Sequence, residues 1–248
     1  MEHLNFISDN LADVNSKIDQ ALAAANIPNK KRPCLVAVSK TQPKEYVIQA
    51  YKCGQRHFGE NYIQELNDKA NDQEIITQCP EIKWHIIGHI QTNKINKLLA
   101  SPNLSVIETI DSVKLAEAIN EAIKRNDLIK GTIDVFVQVN TSNEEAKSGI
   151  DPEHLVELVE FITTKCDRLH FVGFMTIGAY GYDVSLGPNP DFLKLLEVRE
   201  TFCKKANVDQ TTIELSMGMS CDYEHAIHLG STFVRVGTGI FGPRKAKV

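Results

Sequence analysis

The sequence lacks the patterns that mark several large classes of protein. Its six cysteines are scattered without a C-x-x-C pair, which argues against a disulfide framework and against a structural zinc site. Basic residues form no stripe and the net charge is −5, so nucleic acid is not an expected partner. No apolar run approaches the length of a membrane span, and the first residues show neither a signal-peptide nor a transit-peptide pattern. These absences predict a cytoplasmic protein that binds neither nucleic acid nor membranes.

A linker rich in glycine, proline or serine is also missing, so a single domain over residues 1–248 is expected. Apolar residues at spacings of three and four predict an amphipathic helix over 4–25. Strand-like and helix-like segments then alternate in units of roughly thirty residues, the size of a βαβ unit. The predicted strands cover 34–39, 57–59, 83–88, 104–109, 133–140, 170–175, 212–216 and 233–236. The predicted helices between them cover 44–53, 62–77, 92–100, 112–125, 152–165, 191–206 and 222–229. Eight such units favour a (β/α)₈ TIM barrel with an extra N-terminal helix, and a doubly wound open sheet is the alternative.

Lys40 ends an apolar strand and is the most informative residue of the chain. The carboxyl ends of barrel strands form the active face, so its amine is expected to lie at a site. Apolar surroundings disfavour the charged ammonium form, and neutral lysine is the nucleophile that forms Schiff bases with aldehydes and ketones. A solvated charge at a strand end is the alternative interpretation.

Two segments that combine glycine with hydroxyl groups, 216–220 and 237–239, follow the last two predicted strands. Loops in these positions commonly bind phosphate in barrels. Glycine lets backbone N–H groups approach an anion, and Ser216 and Thr238 add hydroxyl donors, although both could be ordinary turn residues. An imine-forming lysine together with a phosphate site suggests pyridoxal 5'-phosphate as the ligand.

Arg235 lies between Val234 and Val236, so strand alternation predicts that it points into the barrel while the valines face the helices. A buried arginine needs an acceptor, and a pyridine nitrogen is a suitable one. An ion pair with Glu214 is the alternative.

Three further residues have competing interpretations. Asn61 follows the second predicted strand, where it could line the site or begin the helix from Tyr62 as its N-cap. His85 and His89 are four residues apart, which is a metal-ligand spacing on a helix. The segment between them has a strand-and-turn pattern, so no metal site is expected.

Six motifs occur in order along the chain: LVAVSK at 35–40, FGENY at 58–62, WHIIGHIQTNK at 84–94, GFMTIG at 173–178, LSMGMS at 215–220 and VRVGTGIFG at 234–242. With these motifs, nearly the whole sequence resembles the pyridoxal phosphate homeostasis protein family (YggS/PROSC type). The resemblance implies a barrel like the N-terminal domain of alanine racemase. It also assigns six cofactor-binding positions: Lys40 for the covalent link, Asn61 beside the ring, Arg235 at the pyridine nitrogen, and Ser216, Gly237 and Thr238 at the phosphate.

The function that the resemblance implies is the carriage, buffering or delivery of pyridoxal phosphate, in which apo forms of pyridoxal phosphate-dependent enzymes are possible partners. The family has no firmly established catalytic reaction, and a monomer is expected. One alternative is a pyridoxal phosphate-dependent amino-acid racemase, which needs an acid–base group on each face of the substrate. Lys40 supplies one face, whereas Tyr180 or Tyr182 on the long loop 178–190 would have to supply the other. A class I aldolase is a further alternative.

Overall fold

The computed structural model describes residues 4–27, 31–125, 129–142, 148–179 and 181–243, and the statements below concern these residues. Eight parallel strands form a closed barrel in chain order, and the last strand pairs with the first. Strands β1 to β8 are Cys34–Val38, His57–Glu60, Lys83–Ile86, Leu104–Ile110, Ile133–Gln138, Leu169–Met175, Glu214–Met219 and Phe233–Val236. Closure into a parallel barrel confirms the predicted (β/α)₈ fold and excludes the open sheet.

Helices surround the barrel, and one of them precedes the first strand. Helices α1 to α10 are Asn5–Ala24, Lys44–Lys52, Ile63–Ala70, Gln73–Gln78, Ile95–Leu99, Val113–Lys124, Leu155–Lys165, Pro190–Ala206, Tyr223–His228 and Thr238–Phe241. Short 3₁₀ turns occupy Thr92–Lys94, Pro152–His154, Val184–Leu186 and Gln210–Thr212. No helix within the described ranges is both long and apolar enough to cross a membrane.

The apolar core has two parts, because alternate strand residues face opposite sides of the barrel wall. The larger part lies between strands and helices, where the rings of Phe58 and Trp84 are 5.9 Å apart. The smaller part lies inside the barrel around Phe136, whose ring is 5.1 Å from that of Phe233. Both faces of the strands are therefore covered, which explains why the strands are visible in the sequence as continuous apolar runs.

Helix α1 is the predicted extra N-terminal helix, and its apolar stripe packs on α2, α9 and α10. Ile7 and Ile18 on this stripe are fully buried. Asn10 Nδ2 also donates to the Ile240 carbonyl at 3.0 Å, which ties α1 to the helix after the last strand.

Most predicted elements differ from the structure by one to three residues at an end, and three differences matter for the architecture. The helix predicted over 62–77 is divided into α3 and α4, because Asp72 accepts from the Glu74 N–H and begins a new helix. The seventh strand continues to Met219 instead of ending at residue 216. The glycine-rich turn after β8 forms the short helix α10.

Candidate functional site

A cavity of about 270 Å³ opens at the carboxyl end of the barrel, beside β1, β7 and β8. Lys40, Arg235, Gly237 and Thr238 all line it, so the fold brings together four of the positions that the sequence analysis selected. Lys40 follows β1 in a turn and is half-buried. An amine, a guanidinium and a glycine turn therefore share one pocket.

Arg235 lies inside the barrel, as strand alternation predicted, and only 4% of it is exposed. Its Nη1 donates to Ser216 Oγ at 2.6 Å and its Nη2 donates to the Thr176 carbonyl at 2.8 Å. The alternative pairing with Glu214 does not occur, because Glu214 accepts from Lys31. The guanidinium is thus held rigidly at the base of the cavity.

Ser216 is placed differently from the other predicted phosphate contacts. Because β7 continues to Met219, Ser216 lies within the strand and is fully buried. Its hydroxyl donates to Glu108 Oε2 at 2.6 Å and accepts from Arg235. The phosphate role of Ser216 stays a prediction.

Ser220 is a residue on the cavity that the sequence analysis did not single out. It follows β7, lines the cavity, and its Oγ accepts from the Gly237 N–H at 3.1 Å. The available signal was its position at the end of the hydroxyl-and-glycine segment 216–220. Knowing which hydroxyl of that segment reaches the cavity required knowing where β7 ends.

A chain of buried polar groups extends from Arg235 through the interior of the barrel. Glu108 is fully buried; its Oε1 is 2.7 Å from His85 Nδ1, and its Oε2 is 3.9 Å from Arg235 Nη1. His85 Nε2 in turn is 2.9 Å from His57 Nδ1. No sequence pattern predicted this series of buried polar groups, because its members come from four different strands.

The protonation states along this chain follow from burial and partners. Burial raises the pKa of Glu108, but the hydrogen bond from His85 and the nearby charges of His85 and Arg235 outweigh burial and leave the pKa below its usual value. Burial, with the neighbouring His85 and Lys83, lowers the pKa of His57 to about 4. A neutral His57 and an ionised Glu108 follow, and the donor in the hydrogen bond between His57 Nδ1 and His85 Nε2 depends on the tautomer. The interior thus holds a fixed carboxylate against the Arg235 guanidinium.

Asn61 lines a neighbouring cavity of about 240 Å³ beside β3, β5 and β6. Ile87 lines both cavities, so they adjoin. Asn61 does not cap α3: Tyr62 occupies that position, and Asn61 Oδ1 is buried with no hydrogen-bond partner among the described groups. This side chain therefore has acceptor capacity available for a ligand.

The two histidines with metal-ligand spacing have separate surroundings. His85 is inside the barrel. His89 is exposed, and its Nδ1 lies 3.6 Å from Asp111 Oδ2. Within the described part of the chain, no cluster of three or more histidine, cysteine or carboxylate side chains could hold a metal ion.

Of the two tyrosines considered for a racemase, the structure describes only Tyr182. The Tyr182 hydroxyl donates to the Pro188 carbonyl at 3.3 Å within its own loop. Tyr180 lies outside the described residues.

Comparison with known proteins gives a consistent result. The human protein named pyridoxal phosphate homeostasis protein is 52% identical over 239 residues, which is 94% of this chain and 85% of the human one. The structure of PipY from Synechococcus elongatus, with pyridoxal phosphate bound, has a TM-score of 0.76 and 30% identity, covering 95% of this chain and all of PipY. Alanine racemase from Bartonella henselae shares the fold alone, with a TM-score of 0.67 and 16% identity over 97% of this chain and 59% of the racemase. No protein-family model matches. On identity and coverage, the chain belongs to the pyridoxal phosphate homeostasis protein family.

Proposed function

We propose that the chain binds pyridoxal 5'-phosphate as a Schiff base on Lys40 and serves the intracellular homeostasis of this vitamin B6 cofactor by carrying, buffering or delivering it. The observation that carries the proposal is the convergence of Lys40, Arg235, Gly237 and Thr238 on one cavity. A relative with 30% identity, PipY, has been solved with this ligand bound.

The residues around the cavity suit the chemical parts of the cofactor. A phosphate dianion needs N–H and O–H donors, and the start of α10 leaves the N–H groups of Thr238 and Gly239 without an intrahelical acceptor. A Cβ at Gly237 would come within 3.2 Å of the Val38 carbonyl, so glycine keeps the ends of β1 and β8 close together there. The buried, unpartnered Asn61 Oδ1 lies in the adjoining cavity, where it can accept a hydrogen bond from a bound molecule.

Arg235 is the group that favours storage over catalysis. When bound, pyridoxal phosphate supplies an aldehyde for covalent attachment and a ring that withdraws electrons most strongly when its nitrogen is protonated. Arginine only donates hydrogen bonds, so Arg235 leaves a pyridine nitrogen in front of it unprotonated. The Glu108 carboxylate and the Thr176 carbonyl hold the guanidinium in place inside the barrel. The chain would therefore hold the cofactor without strongly activating a bound amino acid.

Finer assignments complete the proposal. A reducing, cytoplasmic location is supported by the six free cysteines. The chain would act as one domain over 1–248 and as a monomer, so light scattering should give a mass near 27.7 kDa. Apo forms of pyridoxal phosphate-dependent enzymes would be its partners, and nucleic acid would not.

The experiment is to titrate the purified protein with pyridoxal phosphate and follow its visible absorption. The wild type and the surface variant Lys83→Ala should both develop the imine band, whereas Lys40→Ala should remain folded and show none. An imine band in Lys40→Ala equal to that of the wild type would contradict the assignment. Rapid deuterium exchange at the α-carbon of alanine would instead support the racemase alternative.

A further inference from the structure

Both peptide groups that flank Lys40 are held by side chains of α3. Lys69 Nζ donates to the Ser39 carbonyl at 2.7 Å, and this carbonyl belongs to the peptide before Lys40. The Thr41 N–H, which belongs to the peptide after Lys40, donates to Glu65 Oε1 at 2.6 Å. Lys69 Nζ also donates to Glu65 Oε1 at 2.8 Å. The two contacts therefore form a single clamp across the turn that carries Lys40.

Glu60 supports this clamp from the outer side of the barrel wall. Its Oε1 accepts from Lys69 Nζ and from Ser39 Oγ, each at 2.7 Å. Glu60 is fully buried and the Lys69 side chain is 9% exposed. A buried ion pair often stabilises a fold no better than apolar side chains of the same volume, so stability alone does not explain these charges at this position. The hydrogen bond from Lys69 to the Ser39 carbonyl, with Glu60 holding the Lys69 ammonium, explains them.

The backbone of the turn shows why it needs such support. Thr41 has φ of 61°, a left-handed conformation that is unfavourable for a β-branched residue. Strained backbone of this kind persists only where the surroundings hold it in place, and it is common at functional sites. The hydrogen bond from Thr41 to Glu65 supplies that restraint.

We propose that Glu65 and Lys69 are positioning residues that fix the main chain on both sides of Lys40 and so present its amine to the carbonyl of an aldehyde ligand. The inference rests on the proposed function, in which Lys40 forms the covalent link. Neither side chain lines the cavity, so they act through the backbone. Loss of the clamp should weaken covalent capture, because small displacements of a reacting group are costly, but it should leave recognition of phosphate and ring unchanged.

The test compares two ligands on one set of variants. Pyridoxal phosphate can form the imine. Pyridoxine 5'-phosphate has an alcohol in place of the aldehyde, so it can bind only non-covalently. Glu65→Ala should raise the apparent Kd for pyridoxal phosphate about tenfold and leave the Kd for pyridoxine phosphate within about twofold of the wild type. Glu65→Gln keeps an acceptor oxygen for the Thr41 N–H, so it should retain most of the affinity for pyridoxal phosphate that Glu65→Ala loses. Asp68→Ala removes an exposed carboxylate from the same helix and should change neither Kd.

Hydrogen exchange on the ligand-free protein gives an independent readout. The Thr41 amide should exchange faster in Glu65→Ala than in the wild type and Asp68→Ala, because it has lost its acceptor. An equal loss of affinity for both ligands, or an unchanged Kd for pyridoxal phosphate, would overturn the positioning role while leaving the proposed function intact. A wild type that forms no imine would overturn both.

Discussion

At the scale of single residues, Arg235 has the most demanding environment. It is the cation beside a fully buried carboxylate, Glu108, and it also donates to Ser216. Removing Arg235 from this buried pair leaves the Glu108 carboxylate charged and unpaired in the interior. Arg235→Ala should therefore lower the free energy of unfolding by about 3–5 kcal/mol, measured by urea denaturation. The exposed Arg125 is the control: Arg125→Ala should change stability by no more than about 0.5 kcal/mol, and equal effects of the two variants would be incompatible with a buried pair.

Glu60 should make stability depend on pH. Burial raises its pKa from 4.5 to about 7, although the nearby Lys69 acts in the opposite direction. A raised pKa means that the folded state binds the proton more tightly, so this stabilising contribution is present below about pH 4.5 and is lost as pH rises to about 7. This pKa shift corresponds to about 3 kcal/mol of folding stability that is lost over this pH range. Glu60→Gln should flatten the decline in stability between these pH values, whereas the exposed-site variant Glu153→Gln should keep the wild-type slope; a wild-type slope in Glu60→Gln would refute the assignment.

Residues whose position follows from strand alternation were predictable from the sequence. Lys40 at a strand end and Arg235 between two valines are examples, and both line the cavity. Glu65 and Lys69 were not predictable as a clamp, because their contacts depend on where α3 lies relative to the turn that follows β1. The position of Ser216 was not predictable either. Three further residues of β7 follow it, so its hydroxyl lies in the barrel interior and not at the cavity.

At the scale of elements, the contact between β7 and α9 depends on Gly218. Its φ is +93°, and a Cβ there would lie 2.6 Å from Ala226 Cβ and 2.9 Å from Tyr223 Cα. Gly131 has a similar φ of +97° but no neighbour within 4 Å. Gly131→Ala should therefore lower stability through backbone strain alone, by about 1–2 kcal/mol. Gly218→Ala should lower stability clearly more and weaken ligand binding at the cavity that Lys40, Met219 and Ser220 line. Equal losses of Tm in the two variants would show that the close approach is not required.

The elements themselves were predicted well where periodicity extends over many residues. The strands were legible because both faces of the barrel wall are covered, which leaves short apolar runs between polar turns. The break between α3 and α4 was missed because the cap at Asp72 lies inside an otherwise continuous helical pattern. Helix α10 was missed because Gly239 within it and Gly237 and Gly242 at its ends favour a turn, and the helix forms only where it packs on α1.

At the scale of the whole molecule, α1 is part of the core and not an appendage. Ile18 is fully buried, and the chain has one tryptophan, Trp84, which reports on β3. Ile18→Ala should lower the free energy of unfolding by about 2–5 kcal/mol and shift the Trp84 fluorescence transition together with the far-UV circular dichroism transition. Lys17→Ala on the exposed side of the same helix should shift neither. An unchanged Trp84 transition in Ile18→Ala would mean that the barrel folds independently of α1.

The barrel as a whole was predictable from alternation and length, but its interior was not. The chain from Arg235 through Glu108 to His57 joins residues on different strands, and Ser216 is 108 residues from Glu108. Such pairs are set by strand register around a closed barrel, which a single sequence does not reveal. The interior network is therefore the part of the site that needed a structure.

The most direct measurement is to load the protein with pyridoxal phosphate, reduce it with borohydride, digest it and locate the modified lysine by mass spectrometry. Reduction converts an imine into a stable amine, so the cofactor's position is recorded covalently. The expected result is one modified residue, Lys40, at close to one cofactor per chain. Modification spread over surface lysines, or confined to a lysine outside the cavity, would contradict the central claim.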